Sequence, residues 1–337
     1  FNPVSKIICR MLDRDLSAVI DRDWLVAKLT YAQDMRARLY DAPYYRLIHA
    51  EADGLPGVVI DRFGDVAVIQ PNAAWAEVLI DDLAAALIEV TGVTTVVKNG
   101  TGRARSLEGL AEETAVLAGE VSDAVPVQMN GATYFADLTQ GQKTGLFLDQ
   151  RDNQAFAARL AKGGTVLDVF SHVGGFALAA LAAGAVSADA IDGSAPALDL
   201  AMRGASASGF AGQFATIKGD AFEVMAGLQA DHRRFDMVVC DPPAFAPNKN
   251  ALDAGLRAYE RIARLGAGLT TKGGYLVVCS CSHAADLNSF REASIRGIGR
   301  AGRKGQLIHT GAAGPDHPMH PSLAETGYLK ALFFRLE

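Results

Sequence analysis

The chain has 337 residues, with 32 Lys+Arg against 38 Asp+Glu and a formal net charge of −6. Half of it is hydrophobic and 21% is charged, which excludes a disordered polymer. The negative balance excludes a wholesale polyanion binder but not a local basic face, and the length suggests about two domains.

In chain order, Ser5 to Met11 alternates like a strand, and Asp23 to Leu39 reads as a helix with Leu25, Leu29 and Met35 among basic residues. Tyr45 to His49 and Gly57 to Ile60 flank a D-G-L-P-G turn, and Arg62 to Asp65 turns the chain into Val66 to Gln70. A helix over about Ala73 to Val90 and a strand over Thr94 to Lys98 complete a small α+β unit. From about Gly163 the texture changes. Short apolar runs at Thr165 to Phe170, Ala188 to Ile191, Phe214 to Lys218, Phe235 to Cys240 and Tyr275 to Cys279 alternate with Ala- and Leu-rich helical segments. That pattern predicts an α/β fold with a doubly wound, largely parallel Rossmann-like sheet. Gln306 to Thr310 and Tyr328 to Leu336 follow without a helix between them, so an antiparallel last strand is expected.

The uncharged run Val169 to Ala188 has spanning length, but Ser171, His172 and a Gly-Gly pair break it, and no membrane span is expected. Four cysteines (Cys9, Cys240, Cys279, Cys281) are too few for a disulfide framework. They fit a reducing cytosol, so a cytoplasmic protein is expected, without a secretory leader.

The first strand of the alternating region ends L-D-V-F-S-H-V-G-G-F, Leu167 to Phe176. Ligands of open α/β sheets sit beyond strand carboxyl ends, where a glycine turn lets backbone approach closely. Asp192 ends the next strand, 18 residues after Gly174, where an acid grips a ribose diol. The turn is not G-x-G-x-x-G, which disfavours a pyrophosphate cradle and favours a nucleoside ligand without phosphates, such as S-adenosylmethionine. The competing reading is a glycine turn that merely packs helix on sheet. Asp220, after the third strand, suits an adenine amino group or a helix N-cap equally. In G-Q-K-T-G-L-F-L-D-Q-R-D-N (Gly141 to Asn153), Phe147 is placed to cover an adenine or sulfonium, and Asp149 and Arg151 to meet an amino acid's amine and carboxylate. The same residues also suit a helix start with i,i+4 pairs.

The fourth strand runs into C-D-P-P-A-F (Cys240 to Phe245), whose prolines make a rigid corner that holds Asp241 at the pocket mouth. Phe245 is available there to stack on a base. The fifth ends V-V-C-S-C-S-H, where Cys281 lies furthest out and is placed as a nucleophile opposite Asp241, while Cys240 and Cys279 read as buried hydrophobes. No metal site is expected, because two thiols one residue apart on a strand suit tetrahedral zinc poorly. His317 and His320, in D-H-P-M-H-P, read as a loop rim. Two basic groups, Lys98, Arg103 and Arg105, and Arg291 to Lys304, are candidates for phosphate contacts or plain solvated faces.

Together E-A-D-G-L-P-G-V-V-I-D-R-F-G-D (Glu51 to Asp65), Q-K-T-G-L-F-L-D-Q-R-D-N, D-V-F-S-H-V-G-G-F, C-D-P-P-A-F and C-S-C-S-H resemble the large-subunit (23S) ribosomal RNA (cytosine-5)-methyltransferase family, the PUA-domain-containing type. The resemblance covers nearly the whole chain. It implies the tail of a PUA-like domain over residues 1–17, a helical connector over 18–40, a small central α+β domain over 41–138 and a class I methyltransferase domain over 139–337. It implies an S-adenosylmethionine pocket lined by Phe147, Asp149, Arg151, Asp168, Ser171, Gly174, Asp192 and Asp220, with Cys281 as nucleophile and Asp241 as its partner. Phe245, Arg103 and Arg105 would meet the substrate, large-subunit ribosomal RNA; a homodimer is compatible with the reading. Asp-Pro-Pro before an aromatic also resembles enzymes that methylate base nitrogens, so an RNA guanine N-methyltransferase is the rival. A non-catalytic RNA-binding or assembly protein is the reading outside enzymes.

Overall fold

The computed structural model describes all residues except 122, 139–144 and 324–325. They form two compact units. The first comprises Phe1–Val127, Ala136–Asp149 and Pro315–Thr326; the second comprises Gln128–Phe135, Gln150–Gly314 and Gly327–Glu337. Residues 128–135 thus group with the second unit, and 136–149 and 315–326 with the first.

In the first unit, helix α1 (Arg22–Leu39) is capped by Asp21, whose side chain accepts from Trp24 N. It buries Leu25, Leu29 and Ala32. Strands β1 (Tyr44–His49), β2 (Val58–Phe63) and β3 (Val66–Pro71) follow, then short α2 (Ala74–Val78), α3 (Ile80–Thr91), β4 (Thr95–Gly100), short α4 (Arg103–Leu107) and β5 (Glu113–Ala118). The helix expected over Ala73 to Val90 is thus two, interrupted at Leu79. The sheet order is β1-β2-β3-β4-β5. The strand expected at Ser5 to Met11 is absent from the described structure: Asn2, Ser5 and Arg10 instead bond the buried Glu108 carboxylate, which holds this segment as a loop.

Asp53 and Asp61, from the first quoted motif, prove to be framework residues. Each accepts a bidentate arginine fork, Arg36 at 2.6 and 2.7 Å and Arg46 at 2.8 and 2.9 Å. Arg36 also donates to Asp316 O, and Arg46 N to Asp316 Oδ2. This corrects the loop-rim expectation for His317, which is buried beside His49 with its Nδ1 2.9 Å from Asp316 Oδ1.

Strands β6 (Val125–Met129) and β7 (Ala132–Ala136) make a hairpin that the sequence reading missed. In the second unit come α5 (Arg151–Ala161), β8 (Thr165–Val169), α6 (Gly175–Ala182), β9 (Ser187–Asp192), α7 (Ala195–Ala207), β10 (Phe214–Lys218), α8 (Ala221–Ala230), β11 (Phe235–Cys240), α9 (Leu252–Leu269), β12 (Thr270–Ser280), α10 (Leu287–Arg300), β13 (Gly305–Gly311) and β14 (Lys330–Leu336). Among the described residues the sheet has seven strands, ordered β10-β9-β8-β11-β12-β14-β13. β8 to β12 are parallel and β14 lies antiparallel between β12 and β13. This is the expected doubly wound, Rossmann-like α/β fold. The uncharged run Val169 to Ala188 is a strand end, a turn and the buried α6; among the described residues no helix is long and apolar enough to cross a membrane.

Candidate active site at the carboxyl ends of the parallel strands

The strand order reverses between β8 and β11, and Asp168, Asp192 and Asp241 stand at the carboxyl ends of β8, β9 and β11 around that point. After β8 the chain takes an unusual path, with φ of +62° at Phe170, +50° at His172 and +80° at Gly174. Two left-handed residues other than glycine in one turn mark a backbone held against its own preference. Asp168 shows how it is held. Its Oδ2 accepts from Phe176 N and Ala177 N, the first donors of α6. Its Oδ1 is buried and has no hydrogen-bond partner among the described residues, and Ser171 Oγ is in the same state. Burial lifts the Asp168 carboxyl to about 7, with Asp192 adding to the rise and the two amides opposing it.

Asp192, half-buried at the end of β9, accepts from His172 N and Ser194 N at 2.8 Å each, so it ties the turn after β8 to the start of α7. Its carbonyl accepts from Gly219 N, which brings the β10 end alongside. Asp220 is exposed and caps α8 by accepting from Glu223 N, so its N-cap role is met whatever else it binds. Arg151 opens α5 and is buried. Phe147, half-buried, and Asp149, buried, group with the first unit, and residues 141–144 of the same motif lie outside the described residues. Tyr134, on β7, went unnoticed in the sequence. It is wholly buried, donates to Gly175 O at 3.2 Å, and burial together with the nearby Asp168 charge raises its phenol. No local signal marks it, because its role depends on where the hairpin lands.

Across the reversal, Asp241 N donates to Val169 O and closes the seam between β11 and β8. Cys240 pairs in register with Val278, so Asp241 and Cys281 leave the carboxyl ends of neighbouring parallel strands. Cys281 is half-buried, whereas Cys240 and Cys279 are fully buried and burial pushes both thiols upward. Phe245 is half-buried in a ring cluster, with centroids 6.2 Å from Phe170, 6.0 Å from Phe222 and 5.0 Å from Tyr259. Among the described residues no group of three His, Cys, Asp or Glu is arranged to hold a metal ion.

The basic residues fare differently. Arg105 is 1% exposed and spends its guanidinium on Ala111 O, Pro71 O and Glu77, so the expectation of a phosphate contact fails for it: it is a framework residue. Lys98 is likewise buried between Glu77 and Glu113. Arg103 is exposed. On α10, Arg296 and Arg300 pair with Glu260.

A family model described as S-adenosylmethionine-dependent methyltransferase matches residues 101–335. The ribosomal RNA large subunit methyltransferase I of Aliivibrio fischeri is 36% identical over 341 residues, covering all of this chain and 86% of that protein. The chain belongs to this family of S-adenosylmethionine-dependent methyltransferases. The fold agrees. A protein assigned as a methyltransferase and solved with SAH has a TM-score of 0.82 at 21% identity, covering 95% of this chain and 83% of that one. A tRNA guanine methyltransferase of Methanocaldococcus jannaschii has a TM-score of 0.59 at 15% identity, covering 93% and 79%. The residues present fit S-adenosylmethionine. The orphaned Asp168 Oδ1 and Ser171 Oγ leave polar capacity for such a ligand beside the turn after β8.

Proposed function

We propose that this methyltransferase modifies carbon-5 of a cytosine in large-subunit ribosomal RNA through a covalent adduct on Cys281, assisted by Asp241. The observation that carries the reading is the pairing of β11 with β12, which brings a half-exposed thiol and a carboxylate to adjacent strand ends beside the acids of the cofactor turn. The ribosomal substrate is inferred from the function named for the Aliivibrio relative. In this reading Asp168, Ser171, Gly174, Asp192 and Asp220 hold the cofactor, and Phe147, Asp149 and Arg151 contribute from the preceding segment. S-adenosylmethionine supplies an electrophilic methyl group when bound. Cytosine carbon-5 is too weak a nucleophile to take that methyl unaided. Addition of the Cys281 thiolate to carbon-6 breaks the 5,6 double bond and leaves carbon-5 enamine-like. The Asp241 carboxyl hydrogen-bonds ring nitrogen 3 and stabilises the charge gathering there. Once carbon-5 is methylated, loss of its proton restores the double bond and expels Cys281. In this reading Phe245 and Arg103 would meet the RNA substrate.

The test uses large-subunit RNA carrying 5-fluorocytosine. Fluorine leaves carbon-5 without a removable proton, so the protein–RNA adduct persists and is seen on a denaturing gel. Cys281→Ala abolishes both the adduct and methyl transfer. The D-P-P-A-F corner supports a second reading, methylation of a guanine nitrogen with Asp241 accepting the proton. Full methyl transfer by Cys281→Ala, without any adduct in the wild type, selects that reading and overturns ours.

A further inference from the structure

Lys330 is the first residue of β14, opposite Ser280 in the antiparallel register with β12. It is 8% exposed, and among the described residues it makes no ion pair. Its Nζ donates to two carbonyls instead, Ser282 O at 2.7 Å and Ala285 O at 2.8 Å. Both belong to the loop that begins with Cys281. A buried ammonium whose partners are only carbonyls is costly unless an anion forms nearby. The groups pulling its proton affinity back up against burial are Cys281 and Asp286, with Cys281 the stronger.

The rest of the loop is pinned as well. Ser280 Oγ donates to Tyr259 OH at 2.9 Å, and that oxygen lies 2.8 Å from Ser282 Oγ. Ser282 Oγ in turn accepts from Ala246 N, at the end of the Asp-Pro-Pro corner. Cys281 therefore sits between two serines fastened to α9 and to the Asp241 loop, in a loop whose carbonyls the Lys330 ammonium binds. The charged and titratable groups facing this loop are Lys330 from β14 and Tyr259 from α9, both interacting electrostatically with Cys281, with Asp241 at the end of neighbouring β11, Asp286 interacting with Lys330, and His283 on the loop itself, its ring tilted against Tyr328 at 5.7 Å.

We propose that Lys330 is a positioning residue for Cys281, a fixed cation that gathers the Cys281–Ala285 loop and favours the thiolate. This rests on the reading of Cys281 as nucleophile. The test is alkylation of the full protein by iodoacetamide across pH, with the Cys281 peptide followed by mass spectrometry, since exposed Cys9 also reacts. Lys330→Met, which keeps the apolar stem, moves the alkylation midpoint alkaline by about one pH unit. It slows fluorocytosine adduct formation at pH 7 by about tenfold while leaving RNA affinity unchanged. Lys330→Arg restores most of both. Asp286→Asn keeps a competent N-cap for α10 and moves the midpoint in the acid direction, which serves where Lys330→Met does not fold. An unmoved midpoint in Lys330→Met, or in Asp286→Asn where the first is unfolded, overturns the proposal. Normal midpoint shifts with no adduct in any form overturn the covalent reading instead, so the two failures are distinguishable.

Discussion

Asp168→Asn isolates the electrostatic cost built into the turn after β8. The unfolded side chain ionises near its ordinary value of 3.8, while the folded one holds its proton to about 7. Between those values the folded state binds more protons than the unfolded, so stability falls as pH rises and levels off above pH 7. A displacement of about three pH units corresponds to about 4 kcal/mol, of which the span from pH 5 to pH 8 samples about 3 kcal/mol. Asparagine cannot ionise and keeps one oxygen for Phe176 N and Ala177 N. Its Nδ2 takes the place of the orphaned Oδ1 and costs about 1–3 kcal/mol at every pH. The stability of wild type relative to variant therefore drops by about 3 kcal/mol between pH 5 and pH 8, on the order of 10 °C in melting temperature for a unit of this size. The two tryptophans, Trp24 and Trp75, lie in the first unit, so the readout is amide exchange of Phe176 and Ala177. Parallel pH profiles for the two proteins would refute the reasoning. Wild-type affinity for S-adenosylmethionine should also rise about tenfold per pH unit below pH 7, a slope that the variant lacks.

Asp192→Ala removes the acceptor for His172 N and Ser194 N, and is expected to weaken cofactor binding at least tenfold by calorimetry. Gly174→Ala forces an L side chain to φ +80° and should cost about 1–2 kcal/mol in the second unit, read by urea denaturation with circular dichroism. Arg105→Met leaves Glu77 and two carbonyls without their buried donor; the first unit should lose about 3–5 kcal/mol, measured by tryptophan fluorescence. Arg103→Ala, in contrast, should leave that transition in place and weaken RNA binding only, with a shallower salt dependence.

The parallel strands were legible because each is an apolar run flanked by Gly, Asp or Pro, and such runs bury themselves on both faces of a doubly wound sheet. Phe214–Lys218 and Phe235–Cys240 fall where that pattern places them. The strand read at Ser5 to Met11 failed for a tertiary reason. Its alternation is real, but Glu108 gathers Asn2, Ser5 and Arg10 more than a hundred or nearly a hundred residues away in sequence, and no pairing strand is near in the described structure. Arg105 misled in a similar way. An arginine in a basic cluster looks solvent-facing until Glu77 and the Pro71 and Ala111 carbonyls close around it. Tyr134 and Lys330 had no local signature at all, since their partners at Gly175 and Ser282 come from elements 41 and 48 residues away.

The strand order also explains why the acids of an acidic protein concentrate in one place without repelling the fold apart. Asp192 ends β9 and Asp220 follows β10 on one side of the reversal; Asp192 accepts from Ser194 N at the cap of α7 and from His172 N in the turn after β8, and Asp220 accepts from Glu223 N in the first turn of α8, where the helix dipole favours negative charge. Asp241 and Cys281 follow β11 and β12 on the other side, where Lys330 supplies a buried cation. Asp168 sits at the centre with its Oδ1 unsatisfied, and burial pushes its carboxyl toward neutrality. A ligand ammonium at that point would restore the charge the fold suppresses.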